Sequence, residues 1–177
     1  MLPATGVVLE VASGSGEHAA YLAEALPDLT FQPTDPSAEA RASIDDWCAA
    51  LSNVRQAWSL DAVDHWLPHP VDAVLCINMI HIAPWAATVG LICNAGCVLR
   101  AGAPLLLYGP FSRQDEHLAP SNAEFDASLR ARNPEWGIRT LEVVAGLAIE
   151  SGFGTPEIIP MPANNLLVAF RSSGSVR

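Results

Sequence analysis

Short apolar runs separated by glycine, proline or aspartate recur along the 177-residue chain, and the spacing between them switches repeatedly from strand-like to helix-like. Residues 7–11, Val-Val-Leu-Glu-Val, form a β-branched run that ends in a glycine-rich turn, and 17–26 carry apolar positions at helical spacing until Pro27 stops them. Residues 29–32 predict a second strand closed by Pro33-Thr-Asp-Pro36. Ser37 can then cap a helix running to about Leu51, with Ala40, Ile44, Trp47 and Leu51 on one face. A third strand is expected over 54–59, a fourth over 71–77, a helix over 84–99 ending before Arg100-Ala-Gly102, and a fifth strand over 103–108. Residues 104–108 are apolar throughout, as in a parallel sheet covered on both faces. Residues 111–134, with Pro120 and Asn122 at their middle, interrupt the alternation; such an insertion either covers a site or is an inert loop. A helix over 141–151 follows, and then runs 157–161 and 165–170 around Pro162-Ala-Asn-Asn, which so short a turn makes antiparallel. The pattern predicts one α/β domain over 1–171, doubly wound, with a mostly parallel sheet that ends in an antiparallel hairpin; 172–177 read as a flexible tail.

Composition narrows the function classes. Mean hydropathy is +0.25, but no apolar run approaches the roughly 20 residues of a membrane span. The first residues have no basic segment ahead of an apolar one, so a cytoplasmic location is the default. The net charge of −10, from nine basic residues without any lysine, would repel a phosphate backbone, and nucleic acid is not expected as a partner. Cys48, Cys76, Cys93 and Cys97 show no C-x-x-C spacing and read as reduced, buried thiols; Cys93 and Cys97 have no His or acidic residue beside them to complete a metal site, and no metal is assigned.

Gly14-Ser-Gly16 lies between a strand and a helix, where backbone N–H groups and the helix N-terminus come close to a ligand. Taken alone, residues 14–19 satisfy the dinucleotide fingerprint G-x-G-x-x-A, with Asp35 placed for a ribose hydroxyl. Glu10 before the loop would repel a pyrophosphate but suits the cationic amino-acid part of S-adenosylmethionine, directly or by fixing the loop. Asp61, after the third strand, is placed to reach an adenine amino group, and the terminal hairpin is foreign to an ordinary dinucleotide-binding sheet.

The chain resembles the class I S-adenosylmethionine-dependent methyltransferases, whose Rossmann-like seven-stranded sheet ends in such a hairpin. Residues 8–18, Gln32-Pro-Thr-Asp-Pro-Ser37, Cys76-Ile-Asn-Met-Ile-His-Ile-Ala-Pro-Trp85, Tyr108-Gly-Pro-Phe111 and Asn133-Pro-Glu-Trp-Gly-Ile-Arg139 are similar to one branch, the methyltransferase-like protein 26 family, also called domain of unknown function 938. The resemblance implies S-adenosylmethionine as cofactor, held by Glu10, Ala12, Gly14, Gly16, Asp35, Asp61 and Asn78. Ala12 stands where the general E-x-G-x-G-x-G pattern has its first glycine. The family also carries a further N-terminal segment expected to fold over the cofactor, whereas this chain starts close to the first strand.

Asn78 and His81 follow the fourth predicted strand, where doubly wound folds place their ligands, and His81 is the candidate general base; a hydrogen-bonded core histidine is its plainer role. Trp85, Tyr108, Phe111 and Trp136 are candidates for an aromatic wall around an apolar acceptor, or plain packing. Ser13 and Ser15 do not satisfy G-x-S-x-G, which argues against a serine hydrolase. The expectation is methyl transfer to a small-molecule acceptor by a chain able to form a homodimer. Two alternatives stay open: a non-catalytic cofactor-binding or interaction protein lacking the family's N-terminal segment, and an NAD(P)-dependent oxidoreductase.

Overall fold

The computed structural model describes residues 1–66, 69 and 71–174. Strand β1 (Gly6–Val11) is an interior strand of the sheet: all six of its residues pair in parallel with β2 (Leu29–Thr34) on one side, and Val8 to Val11 pair in parallel with β3 (Ala73–Ile77) on the other. Next come β4 (Pro104–Ser112), parallel to β3, and then β7 (Asn165–Arg171) and β6 (Glu157–Met161), both joined antiparallel. The order β2-β1-β3-β4-β7-β6 is completed to seven strands by the two-residue β5 (Arg139–Thr140), which pairs with the end of β4. The winding reverses between β1 and β3, and the carboxyl ends of strands at such a switch point form a ligand crevice.

Alternation along β1 sorts the two faces. Leu9 and Val11 pack with Leu91, Ile92 and Ala95 of α3 (Trp85–Val98) and Val144 of α5 (Leu141–Glu150); Val8 packs with Phe31, Leu75 and Ala23 of α1 (Glu17–Ala25). The hairpin turn has φ 57 at both Ala163 and Asn164, with Asn165 N donating to Pro162 O at 3.3 Å. Among the described residues no helix is long and apolar enough to cross a membrane.

Several expectations are corrected. The strand expected over 54–59 is reduced to two isolated bridges, Phe31 with Val54 and Thr34 with Trp58. Pro33 is the cause: it has no N–H to offer this side of β2, and the carbonyl of Gln56 receives the side-chain Nε2 of Gln32 instead, at 2.9 Å. The second helix, α2 (Ala38–Trp47), stops short of Leu51; Ser37 caps it by accepting from Ala40 N. Its buried stripe steps from Ile44 to Cys48, which leaves Trp47 55% exposed. The supposed insertion holds a helix, α4 (Pro120–Arg132), whose only buried residues are Asn122 and Leu129, so no apolar stripe announced it. Cys93 and Cys97 are exposed rather than buried, because they sit on α3 outside the face built by Leu91, Ile92 and Ala95. Residues 172–174 are not loose: Ser172 N donates to Ala103 O and Ser173 N to Gly152 O. Residues 175–177 lie outside the described residues.

Candidate functional site

The loop between β1 and α1 is shaped by left-handed backbone. Ala12 has φ 59, Gly14 φ 59 and Gly16 φ 94. A side chain at Gly16 would meet the Cα of Ile44 at 2.7 Å, so glycine is what lets α2 close against the loop. At Gly14 a Cβ would meet nothing within 4 Å, which leaves that side of the loop open to a ligand. Ala12 carries the cost of a Cβ in this conformation; Ala12→Gly should stabilise the fold by about 1 kcal/mol in urea denaturation.

Asp35, directly after β2, braces the loop. Its carboxylate accepts from Gly14 N at 3.1 Å and from Ser37 N at 2.9 Å, and it is buried. Glu10 is 1% exposed, and its Oε2 has no hydrogen-bond partner. Burial pushes its carboxyl up to about 7 from 4.5, against a smaller opposing effect of the Ser13 hydroxyl. Around it Thr34 Oγ1 and Ser13 Oγ both donate to the Glu10 carbonyl, at 2.9 and 3.4 Å.

Asp61 takes a different position from the loop. Its Oδ1 accepts from Val63 N at 3.1 Å, and it lines a cavity of about 360 Å³ with Leu9, Trp58, His65 and Trp66, to which Ala12, Gly14, Gly16 and Asp35 do not contribute. Asn78 follows β3 with φ 58, its N–H donating to Tyr108 O at 2.9 Å.

His81 and Asn78 line a second pocket of about 350 Å³, together with Asn122 and Phe125 of α4 and Ala163 and Asn165 of the hairpin. The imidazole is 2% exposed, its Nδ1 has no partner, and it meets the Phe125 ring edge-on at 5.7 Å. Burial, helped by the nearby Arg139 charge, lowers it to about 4. Room for the ring comes from Gly109, where a Cβ would lie 3.0 Å from His81 Cε1.

The four aromatic candidates are scattered. Trp85 lies under the Arg139 guanidinium at 5.8 Å and Trp136 under that of Arg132 at 5.5 Å. Phe111 is buried in the core beside α5, and the Tyr108 hydroxyl accepts from Asn165 Nδ2 at 3.3 Å. None of the four lines the pocket of His81. Sequence reasoning passed over Phe125, Asn122 and Asn165, which come from the unrecognised helix and the hairpin. It also passed over Arg139, although the string ending at it was noticed. That guanidinium donates to the carbonyls of Ile80, Ala83 and Glu135, while Gly137 N donates to His81 O, so residues 135–139 clamp the loop that carries His81. Among the described residues no group of three His, Cys, Asp or Glu could hold a metal ion.

A family model described as a protein of unknown function, DUF938, matches residues 1–172. The chain belongs to the DUF938 family. This DUF938 chain is also similar in fold to solved methyltransferases. An O-methyltransferase family protein from Burkholderia thailandensis is 17% identical with a TM-score of 0.83, over 96% of this chain and 51% of that one. Human N-acetylserotonin methyltransferase, solved in complex with SAM, is 13% identical with a TM-score of 0.82, over 96% and 48%. The calicheamicin biosynthesis methyltransferase CalO1, solved with SAH, is 18% identical with a TM-score of 0.80, over 97% and 50%. The chain spans about half the length of these structures.

Proposed function

We propose that this DUF938 chain binds S-adenosylmethionine at the β1–α1 loop and transfers its methyl group to a small molecule held in the pocket of His81. The observation that carries the reading is the buried carboxyl of Glu10, its Oε2 without a partner, beneath a loop of left-handed backbone that Asp35 braces and that stays open at Gly14. A carboxylate there suits a cationic ligand and disfavours a pyrophosphate, and the fold is shared with methyltransferases.

When bound, S-adenosylmethionine supplies a methyl group activated by its sulfonium, and the protein's task is orientation. Asp35 has lone pairs free for the ribose hydroxyls beyond the two N–H groups it already accepts. Gly14 would leave room for close approach, Ala12 and Gly16 set the loop, Glu10 would balance the positive charge, and Asn78, in the wall of the pocket of His81, would face the acceptor. Asp61 would hold the adenine only from the edge of its own cavity. His81 takes the acceptor's proton. Held near 4, its imidazole is neutral at pH 7, so kcat at saturating S-adenosylmethionine should be flat from pH 5 upward and fall as pH drops through about 4. His81→Gln should lower kcat about 100-fold or more with little change in cofactor affinity; an unchanged kcat removes the histidine from the chemistry. A cytoplasmic setting completes the reading.

A thermal-shift comparison tests it. Saturating S-adenosylmethionine or its demethylated product should raise Tm by about 5–10 °C at a hundred times Kd, and NAD should not. A shift with NAD alone would make the chain an oxidoreductase. Binding of S-adenosylmethionine without release of demethylated product, across a broad acceptor screen, would make it a binding protein.

A further inference from the structure

The pocket of about 350 Å³ beside His81 draws on four separate pieces of chain: the loop after β3, Pro110 of β4, α4, and the hairpin turn. Its size suits a molecule of one or two rings. None of the described residues lining it carries a formal charge at neutral pH, His81 included. A carboxylate or ammonium drawn into it would give up hydration without a counter-ion, in a chain whose net charge of −10 already opposes anions.

Asn122 and Asn165 turn their amide nitrogens to partners within the protein. The Asn165 amide donates to Tyr108 Oη at 3.3 Å and to Pro162 O at 3.2 Å, and the Asn122 amide donates to Asn164 O at 3.2 Å. Their carbonyl oxygens are left to accept, beside a neutral imidazole, from a ligand that donates. Phe125, set edge-on to His81, gives the ligand an aromatic neighbour.

We propose that this pocket binds an uncharged phenol, which is the methyl acceptor. The proposal rests on the methyl-transfer reading and supplies the acceptor class that reading leaves open. The weakness of His81 as a base points the same way: a phenol, with pKa about 10, lies some six units above the imidazole, whereas an aliphatic alcohol lies roughly as far off as water, about 16. Asn78 ties the two sites together, being both at the carboxyl edge of β3 beside the cofactor loop and in the wall of this pocket.

The test is an NMR titration of the intact chain, without cofactor, using 4-ethylphenol, its methyl ether, 4-ethylbenzoate and 4-ethylbenzylamine. The phenol should bind at least about tenfold more tightly than each of the others and shift the signals of His81 and Phe125. Two variants sharpen the result. Ile82→Asp, at a rim position 42% exposed, should turn the preference toward the amine, and Phe125→Ala, with its fold checked by circular dichroism, should cost the phenol about tenfold. No binding of the phenol, equal binding of all four, or tightest binding of a charged analogue or the ether overturns the proposal. Failure here with S-adenosylmethionine still bound sinks the acceptor class alone; phenol bound by a chain that ignores S-adenosylmethionine sinks methyl transfer and leaves the pocket standing.

Discussion

Replacing Asp35 with alanine should weaken S-adenosylmethionine binding by about 100-fold or more and cost the free protein about 2–3 kcal/mol. The stability loss comes first from the folded loop. The carboxylate is buried and accepts from Gly14 N and Ser37 N, so its removal leaves two backbone N–H groups without their charged acceptor. The binding loss has two sources: the ribose hydroxyls lose their acceptor, and the loop at Gly14 loses the bond that holds its shape. Ser37→Ala separates the effects, because it deletes the α2 cap, worth about 1 kcal/mol, and spares the carboxylate. Isothermal calorimetry and urea denaturation on both variants should show affinity lost only with Asp35. Equal affinities in the two variants would remove Asp35 from the cofactor site.

The second large effect is a pH dependence written into Glu10. Its folded-state pKa of about 7 lies above the unfolded value of 4.5, so the folded chain holds this proton more tightly. The stability it contributes is complete below about pH 4.5, is lost as pH rises through 7, and is flat beyond that. The full span is about 3 kcal/mol for a shift of this size. Glu10→Gln deletes the ionisation, so the variant should match the parent near pH 4.5 and exceed it by up to about 3 kcal/mol at pH 8. Because other groups titrate alike in both proteins, the quantity to follow is the difference between their urea midpoints. A difference that does not change with pH contradicts a carboxyl whose ionisation burial opposes. The same variant should bind S-adenosylmethionine less well at pH 8, where the parent offers a carboxylate and glutamine does not.

Much of this fold was legible in local pattern. The run of residues 7–11, the glycines after it, the helix to Pro27 and the closing hairpin need only neighbours in sequence to be recognised, and the structure has them within a residue or two. What failed was set by partners far along the chain. Pro33 breaks the ladder that 54–59 would have formed, a consequence visible only once β2 is paired on both sides. Helix α4 has no apolar stripe because its buried Asn122 is satisfied by the hairpin turn. Trp85 and Trp136 read as an acceptor wall in the sequence; in the structure each ring lies under an arginine guanidinium, outside the pocket of His81. The cofactor candidates at residues 10–16 and at Asp35 come together because one strand pair carries them, Glu10 lying opposite Pro33 in the register. The acceptor pocket, assembled from α4, β4 and the hairpin, had no single stretch to announce it.

The central claim is that the loop of Glu10, Gly14 and Gly16, braced by Asp35, holds S-adenosylmethionine. Isothermal titration of the purified chain at pH 8 with S-adenosylmethionine, its demethylated product and NAD tests it most directly. The account predicts one saturable site for the first two and no heat for NAD. A chain that is folded by circular dichroism and silent toward both sulfur ligands would contradict it.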